Sequence, residues 1–349
     1  MAETIRIGLI GAGKNTQERH IPGLKNIDGV VIAGVVNRSM ESSQAVAEKF
    51  GIEKCFASPQ ELIESPDIDA VLIGTWPDQH CALTCAALKA GKHVLTEARM
   101  ARDLAEARQM LEAAKTHSEL VAQVVPSPFG LVCGPSVSSM VKSHFLGDLR
   151  EVVVLGANDQ FWDYSKPLSP RQDSNLSGKN FLALGILHET LMRWVPEPVQ
   201  VFAQTELFEP TRPSTDSGEF VTATVPDSAQ ILAELKGGAR CMYHLSGVIL
   251  FGPGLQIHLY GSRGTMKIEF VNGEEVVWHG RAGDEELQRL EIPEEELGRW
   301  QVEEDFVAAI RGKRKVDLTD FETGVKYMEF VEAVSMSAES NQPVELPLD

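Results

Sequence analysis

The stretch IRIGLIGAGKNTQERH sets Gly11 and Gly13 directly after an apolar β-branched run and directly before a helical one. Glycine at the first position permits a tight turn, and glycine at the second lets the backbone approach an anion closely. The helix start beyond offers N–H groups that have no intrahelical acceptor, which suits a pyrophosphate. Thr16 occupies the sixth position, where the usual fingerprint has Gly or Ala, and adds a hydroxyl. The loop therefore reads as a dinucleotide cradle formed by Gly11, Gly13, Lys14, Asn15 and Thr16. At the end of the next apolar run, VVNRSMESS carries Asn37, Arg38 and Ser39 where a reader of the ribose 2′-hydroxyl would carry an acid. A guanidinium and a hydroxyl suit a 2′-phosphate, so NADP is favoured, with NAD the alternative.

A second group lies in GKHVLTEARMA, where Glu97 and Arg99 stand on either side of Ala98 at the end of a short apolar strand. Parallel sheets bind their ligands at the carboxyl ends of strands. A guanidinium stays protonated, so Arg99 can stabilise an oxyanion but makes a poor proton shuttle. Further on, FWDYSKPLSPRQDSNLSGKN (161–180) is a polar segment with the composition of a binding loop. Trp162 could stack on a sugar ring, while Arg171, Gln172, Asp173 and Asn180 offer donors and acceptors to hydroxyls. An ordered surface loop capping a sheet is the plainer reading of the same residues. No HxxxH or GxSxG occurs, so no metal is expected and nucleophilic mechanisms are demoted.

Elements must hold these groups in place. Short β-branched runs at 4–10, 30–36, 69–75, 93–96 and 120–125 alternate with helical stretches at 16–26, 42–50, 78–90 and 103–117, with Asp103 as the N-cap of the last. Strict alternation predicts βαβ units and a parallel sheet. After Val125 the pattern changes. A helix is expected over 135–145 and a strand over 148–158, and the strand-like runs of 199–280 are joined by the turns KGGAR, GSRGT and VNGEE. Helices are expected over 299–311 and 320–340. The fold class is α/β: an N-terminal Rossmann domain with a doubly wound parallel sheet (1–124), then a C-terminal α+β domain with a large open, mostly antiparallel sheet (125–349).

The 349 residues suffice for two domains, with 43% apolar and 23% charged residues as in globular proteins. A net charge of −18 speaks against nucleic acid and anionic membrane surfaces as partners. No apolar run is long enough to span a bilayer, and MAETIRIGLIGAG lacks the pattern of a signal peptide, so a cytoplasmic location is expected. The five cysteines show no CxxC pair and read as reduced core thiols.

The blocks GLIGAGKNTQERHIPGL, TWPDQHCALTCAALKAGKHVLTEARMA (75–101), GDLREV (147–152), LYGSRGTMKIE (259–269) and EDFVAAIRGKRKVDLTDFETGVKYMEFVEAVSMSAESNQPVEL (304–346) together resemble the Gfo/Idh/MocA family of nicotinamide-dependent oxidoreductases. The resemblance runs from residue 5 to residue 347 and is thinnest over 155–235. It implies a carbohydrate-like substrate whose hydroxyl or carbonyl carbon exchanges a hydride with the nicotinamide, and a homodimer or homotetramer formed through the C-terminal sheet.

The resemblance also assigns roles. Glu97 takes a structural and cofactor-adjacent place, Thr75, Trp76 and Pro77 form a wall under the cofactor, and His80 matches a position near the nicotinamide. The family's Glu-Lys-Pro reads Glu97-Ala98-Arg99 here, so Arg99 is the group left to stabilise the substrate oxygen. In NFLALGILHETLMRW, His188 stands where the family's histidine is expected, but Leu184 replaces the aspartate four residues before it. His188 is thus the acid–base candidate, with Asp173 as a partner and Lys179 as a replacement ammonium. The two departures keep two further readings open: redox-neutral glycoside elimination on a tightly bound nicotinamide, and a non-catalytic nucleotide-binding sensor or scaffold.

Overall fold

The computed structural model describes residues 4–215 and 218–349. The chain forms two compact units, one holding the chain up to Pro126 together with Gln301–Met328, the other holding Ser127–Trp300 and Glu329–Asp349.

In the first unit, β1 (Ile5–Ile10), β2 (Val30–Val36), β3 (Ala70–Ile73), β4 (His93–Thr96) and β5 (Ala122–Val124) form a parallel sheet in the order β2-β1-β3-β4-β5. Ile7, Leu9, Val71 and Leu95 have no exposure or almost none, as expected of parallel strands covered on both faces. A single parallel bridge between Val35 and Cys55 extends the sheet beyond β2. The strand order reverses between β1 and β3, and such a switch point leaves a crevice at the strands' carboxyl ends.

A π-helical turn, Thr16–His20, leads into α1 (Ile21–Lys25). It is followed by α2 (Met40–Phe50), α3 (Pro59–Glu64), α4 (Pro77–Lys89) and α5 (Leu104–Thr116). Ser39, Ser58 and Asp103 cap α2, α3 and α5 by accepting a bond from the N–H three residues on. Helix α3 falls in a stretch that the apolar periodicity leaves unassigned. It has six residues, too few to show a period, and rests on its Ser58 cap and Pro59 at the first position.

The second unit begins with α6 (Gly134–Lys142), β6 (Leu149–Ala157), α7 (Ser174–Ser177) and α8 (Leu184–Met192). Strands β7 (Pro198–Glu206), β8 (Thr211–Pro213), β9 (Phe220–Thr222), β10 (Ser228–Leu235) and β11 (Arg240–Ser246) come next. Then follow β12 (Gly254–Gly261), β13 (Gly264–Val271), β14 (Glu274–Arg281) and β15 (Gln288–Arg289). Helix α9 (Val302–Ile310) and the start of α10 (Phe321–Ser340) belong to the first unit, while the rest of α10 and β16 (Val344–Glu345) belong to the second.

Nine of these strands form one sheet, β15-β14-β13-β12-β6-β11-β10-β7-β16, in which β6 and β11 run parallel and the other pairs antiparallel. Alternation decides its faces. Cys241, Tyr243 and Leu245 join a core with Leu187, Leu191 and Phe330, whereas Met242 and its register partner Leu232 are 43% and 57% exposed.

The sequence reading puts everything from 125 onward in one C-terminal domain, whereas Gln301–Met328 packs with the first unit. The return is held by specific bonds: Val124 N–H donates to Thr319 O at 3.0 Å, and the Met100 N–H meets the Tyr327 hydroxyl. Among the described residues no helix is long and apolar enough to cross a membrane.

Candidate functional site

The Gly loop leaves β1 at the switch point. Gly11 has φ +83°, and a Cβ there would lie 2.8 Å from Thr75 Cγ2 and 2.9 Å from Gly74 carbonyl carbon, so only glycine fits. At Gly13 an added Cβ would meet nothing closer than 4.0 Å, so its small size leaves open space above the loop rather than filling a protein contact. That open cradle before a helix start is the room a pyrophosphate requires.

Thr16 at the sixth position is buried, with its hydroxyl 3.3 Å from Gly11 O. The missing third glycine is compensated across the crevice. A Cβ on Gly74 would lie 2.4 Å from both Gly11 O and Thr16 Oγ1, so Gly74 supplies the close approach that the loop itself forgoes. Lys14 is exposed, 3.9 Å from Glu18.

At the end of β2, Asn37 turns inward. Its Oδ1 accepts from Ala12 N–H at 2.7 Å and its Nδ2 donates to Ser42, tying the Gly loop to α2. Arg38 is exposed and has no ion pair or hydrogen bond among the described residues. Ser39 Oγ accepts from Ser42 N–H at 3.2 Å as the cap, which leaves its own O–H free to donate.

At the ends of β3 and β4, Trp76 is exposed and stands at the N-cap position of α4 without a side-chain cap bond, with Pro77 as the first helical residue. His80 has no exposed surface. Its Nδ1 faces Arg99 O at 2.9 Å and Met100 O at 3.2 Å, and its Nε2 faces Thr75 O at 3.1 Å. His80 thus splices the two strand ends through backbone carbonyls instead of presenting a ring. The Ala98–Arg99 peptide is cis, and Arg99 is nearly buried.

Glu97 belongs to a buried ionic group that the sequence reading missed. Its Oε1 accepts from Asn15 Nδ2 and from His20 Nε2, the latter at 3.0 Å, and His20 Nδ1 lies 2.5 Å from Glu303 Oε1. Burial alone would lower the His20 pKa, but the bonds to Glu303 and Glu97 overcome it and raise it to about 9. Burial likewise opposes the charge on Glu97, yet His20 and Asn15 hold its pKa below the usual carboxylate range. His20 is visible in the sequence only as one turn beyond the loop, and Glu303 lies 283 residues away, so no local pattern links them.

In the second unit, His188 is 3% exposed. Its ring stacks on Phe330 at 3.7 Å between centroids, and Nδ1 lies 2.7 Å from the Tyr243 hydroxyl. Burial pushes its pKa down to about 3. The same burial raises Tyr243 well above its ordinary value. Tyr243, and not Asp173, is the side chain that meets the His188 ring nitrogen. Alternation along CMYHL could have put it on the core face, but nothing in the sequence pairs it with α8.

The structure brings together few of the other residues in 161–180. Asp173 Oδ1 accepts from Asn175 N–H at 2.9 Å as the cap of α7, and Lys179 Nζ pairs with Glu332 at 2.5 Å. Gln172 closes a capping box with Ser169 and is buried, as is Asn180, whose Nδ2 donates to Ser177 O. Trp162 and Arg171 are exposed. A fully buried Arg212, unforeseen in the sequence, staples the segment by donating to the carbonyls of Phe161 and Asp163.

Residues 5–124 match the family model of the oxidoreductase family with NAD-binding Rossmann fold, and 136–267 match the GFO/IDH/MocA C-terminal domain. The chain is 27% identical over 282 residues to myo-inositol 2-dehydrogenase of Thermotoga maritima, covering 80% of each. It is 40% identical over 110 residues to 1,5-anhydro-D-fructose reductase of Ensifer adhaerens, which is 32% of this chain and 33% of that one. An oxidoreductase domain protein from Kribbella flavida shares 24% identity and a TM-score of 0.86 over 99% of this chain and 100% of its own. Levoglucosan dehydrogenase in complex with NADH and levoglucosan gives a TM-score of 0.88 at 20% identity, over 99% and 100%. At those identities the two structures speak for the fold.

Proposed function

The chain belongs to the Gfo/Idh/MocA oxidoreductases, and from that premise we propose that it interconverts a hydroxyl and a carbonyl on a cyclic polyol or sugar-like substrate, with NADP preferred to NAD. The observation that carries the cofactor assignment is the cradle at Gly11–Gly13, whose closeness to β3 depends on Gly74. Arg38 and Ser39 carry the preference: a free guanidinium and a free hydroxyl proton beside an inward-turned Asn37 suit a 2′-phosphate. Glu97, Thr75, Trp76 and Pro77 border the same crevice.

The nicotinamide, when bound, supplies the hydride donor or acceptor. His188 is assigned the proton at the reacting hydroxyl. For Nε2 to accept it, Nδ1 must carry the ring hydrogen and donate it to Tyr243 Oη, so Tyr243 sets the working tautomer. Burial keeps the imidazole unprotonated, so Nε2 carries a lone pair, and the same burial makes the ring a weak base for that proton. Arg99 is assigned the stabilisation of the substrate oxygen, as a permanent cation in place of the family's lysine. Trp162 and Arg171, exposed on the polar segment, are assigned to the substrate's ring and hydroxyls.

The names of the relatives point to myo-inositol, 1,5-anhydrofructose and levoglucosan as substrates to try first. The test is initial-rate assay of each with NADP(H) and NAD(H), comparing the wild type with His188→Ala. Wild-type-like turnover by that variant on a true substrate would sink the His188 assignment. A homo-oligomer through the open face of the nine-stranded sheet completes the proposal, supported by the exposed Leu232–Met242 pair.

A further inference from the structure

Among the described residues of the first unit, the most completely enclosed charged group, His20, has no place in the chemistry above. His20 is fully buried between two carboxylates, Glu97 at the end of β4 and Glu303 in the first turn of α9. Glu303 reaches His20 because α1 has a glycine beneath it: a Cβ on Gly23 would lie 2.7 Å from Glu303 Oε2. On the other side, Asn15 of the Gly loop donates to the same Glu97 oxygen that receives His20.

We propose that His20 and Glu303 are positioning residues for the dinucleotide loop, a charged clamp that, through Glu97 and Asn15, holds Gly11–Thr16 against the end of β4. The clamp has three anchors far apart in the chain, and the third comes from the segment that returns to the first unit after Trp300. An imidazolium donating at both nitrogens satisfies both carboxylates. A neutral ring can donate to only one, leaving the other facing a lone pair in a buried place. The clamp therefore holds while His20 is protonated and loosens as it loses its proton, near pH 9. Glu97 and Glu303 are the carboxylates that raise the His20 pKa. Its nearest charged neighbours on its own turn, Glu18 and Arg19, are exposed.

The inference rests on nicotinamide cofactor binding and not on the identity of the substrate. Its test is the Kd of NADPH and NADH for the whole chain, read by cofactor fluorescence from about pH 6 to about pH 10, with melting temperatures at each pH. Affinity in the wild type is expected to stay level up to about pH 8 and then to weaken about tenfold as the clamp opens. Glu303→Gln keeps a hydrogen-bond acceptor but removes a charge, so the weakening moves to lower pH by about one unit or more, and Glu303→Asp moves it partly back. A purely structural role would lower the melting temperature and leave the Kd profile of the folded protein unmoved. Superimposable profiles for wild type and Glu303→Gln would overturn the proposal. So would a wild-type Kd independent of pH, a result that needs no variant to fold. Failure of the wild type to bind either cofactor at neutral pH would overturn the cofactor assignment itself and the clamp with it.

Discussion

The Nδ1 of His188 lies 2.7 Å from the hydroxyl of Tyr243, so a phenol from β11 holds the ring that has Leu184 where the family carries an acid. A phenol can accept from Nδ1–H without bringing a formal charge into a core lined by Phe330. Tyr243→Phe is therefore expected to lower kcat about tenfold or more through loss of the tautomer, at a stability cost of roughly 1–3 kcal/mol for the unsatisfied nitrogen. A kcat within twofold of wild type in a folded Tyr243→Phe variant would refute that role.

His188 and His20 make opposite contributions to stability as pH changes. The folded pKa of His188 is depressed to about 3, so the unfolded chain binds more protons below about pH 6.5 and stability falls as pH drops. The folded pKa of His20 is raised to about 9, so its contribution is complete below about 6.5 and is lost as pH rises through 9. Thermal unfolding across pH is expected to show both limbs. Glu303→Gln should shift the alkaline limb to lower pH, and His188→Gln should flatten the acid one.

Arg38→Ala removes a charge-assisted contact to a 2′-phosphate and should weaken NADPH binding about tenfold or more while leaving NADH within twofold. Paired titrations decide it. Equal losses for both cofactors would contradict a 2′-phosphate role.

Gly74→Ala forces a methyl to within 2.4 Å of Gly11 O and Thr16 Oγ1. The loop must move, so cofactor affinity should drop and stability fall by about 1–3 kcal/mol. Thr16→Gly in the Gly74→Ala background should recover part of both, since it restores the fingerprint's own spacing. No recovery would mean that the clash with Gly11 dominates.

Leu232→Glu places a charge on the open sheet face beside Met242. Light scattering should show a smaller species than wild type if that face joins copies of the chain, with cofactor binding unchanged. An unaltered mass would remove the face from consideration.

Much of the first unit was legible because its signals are local. A glycine pair after an apolar run, a period that switches between strand and helix, and Asp103 before a helical stretch each act within a few residues. The candidate site was legible only in part. Asp173 read as a partner for His188, but a side chain so near a helix start bonds its own backbone first. Gln172 and Asn180 read as sugar-binding amides, yet turn geometry draws them inward.

By itself the sequence determined the type of each unit, the glycine loop between β1 and the helical turn that follows it, and the motif residues in which this chain differs from the family's usual pattern. Those follow from backbone sterics and apolar periodicity, which are properties of short segments. The tertiary structure alone decided that Tyr243 partners His188, that Gly74 replaces the loop's missing glycine, and that Glu303 returns to His20. Each of these is a pairing across tens to hundreds of residues, set by which elements the two cores bring together and by the cost of leaving a buried polar atom without a partner.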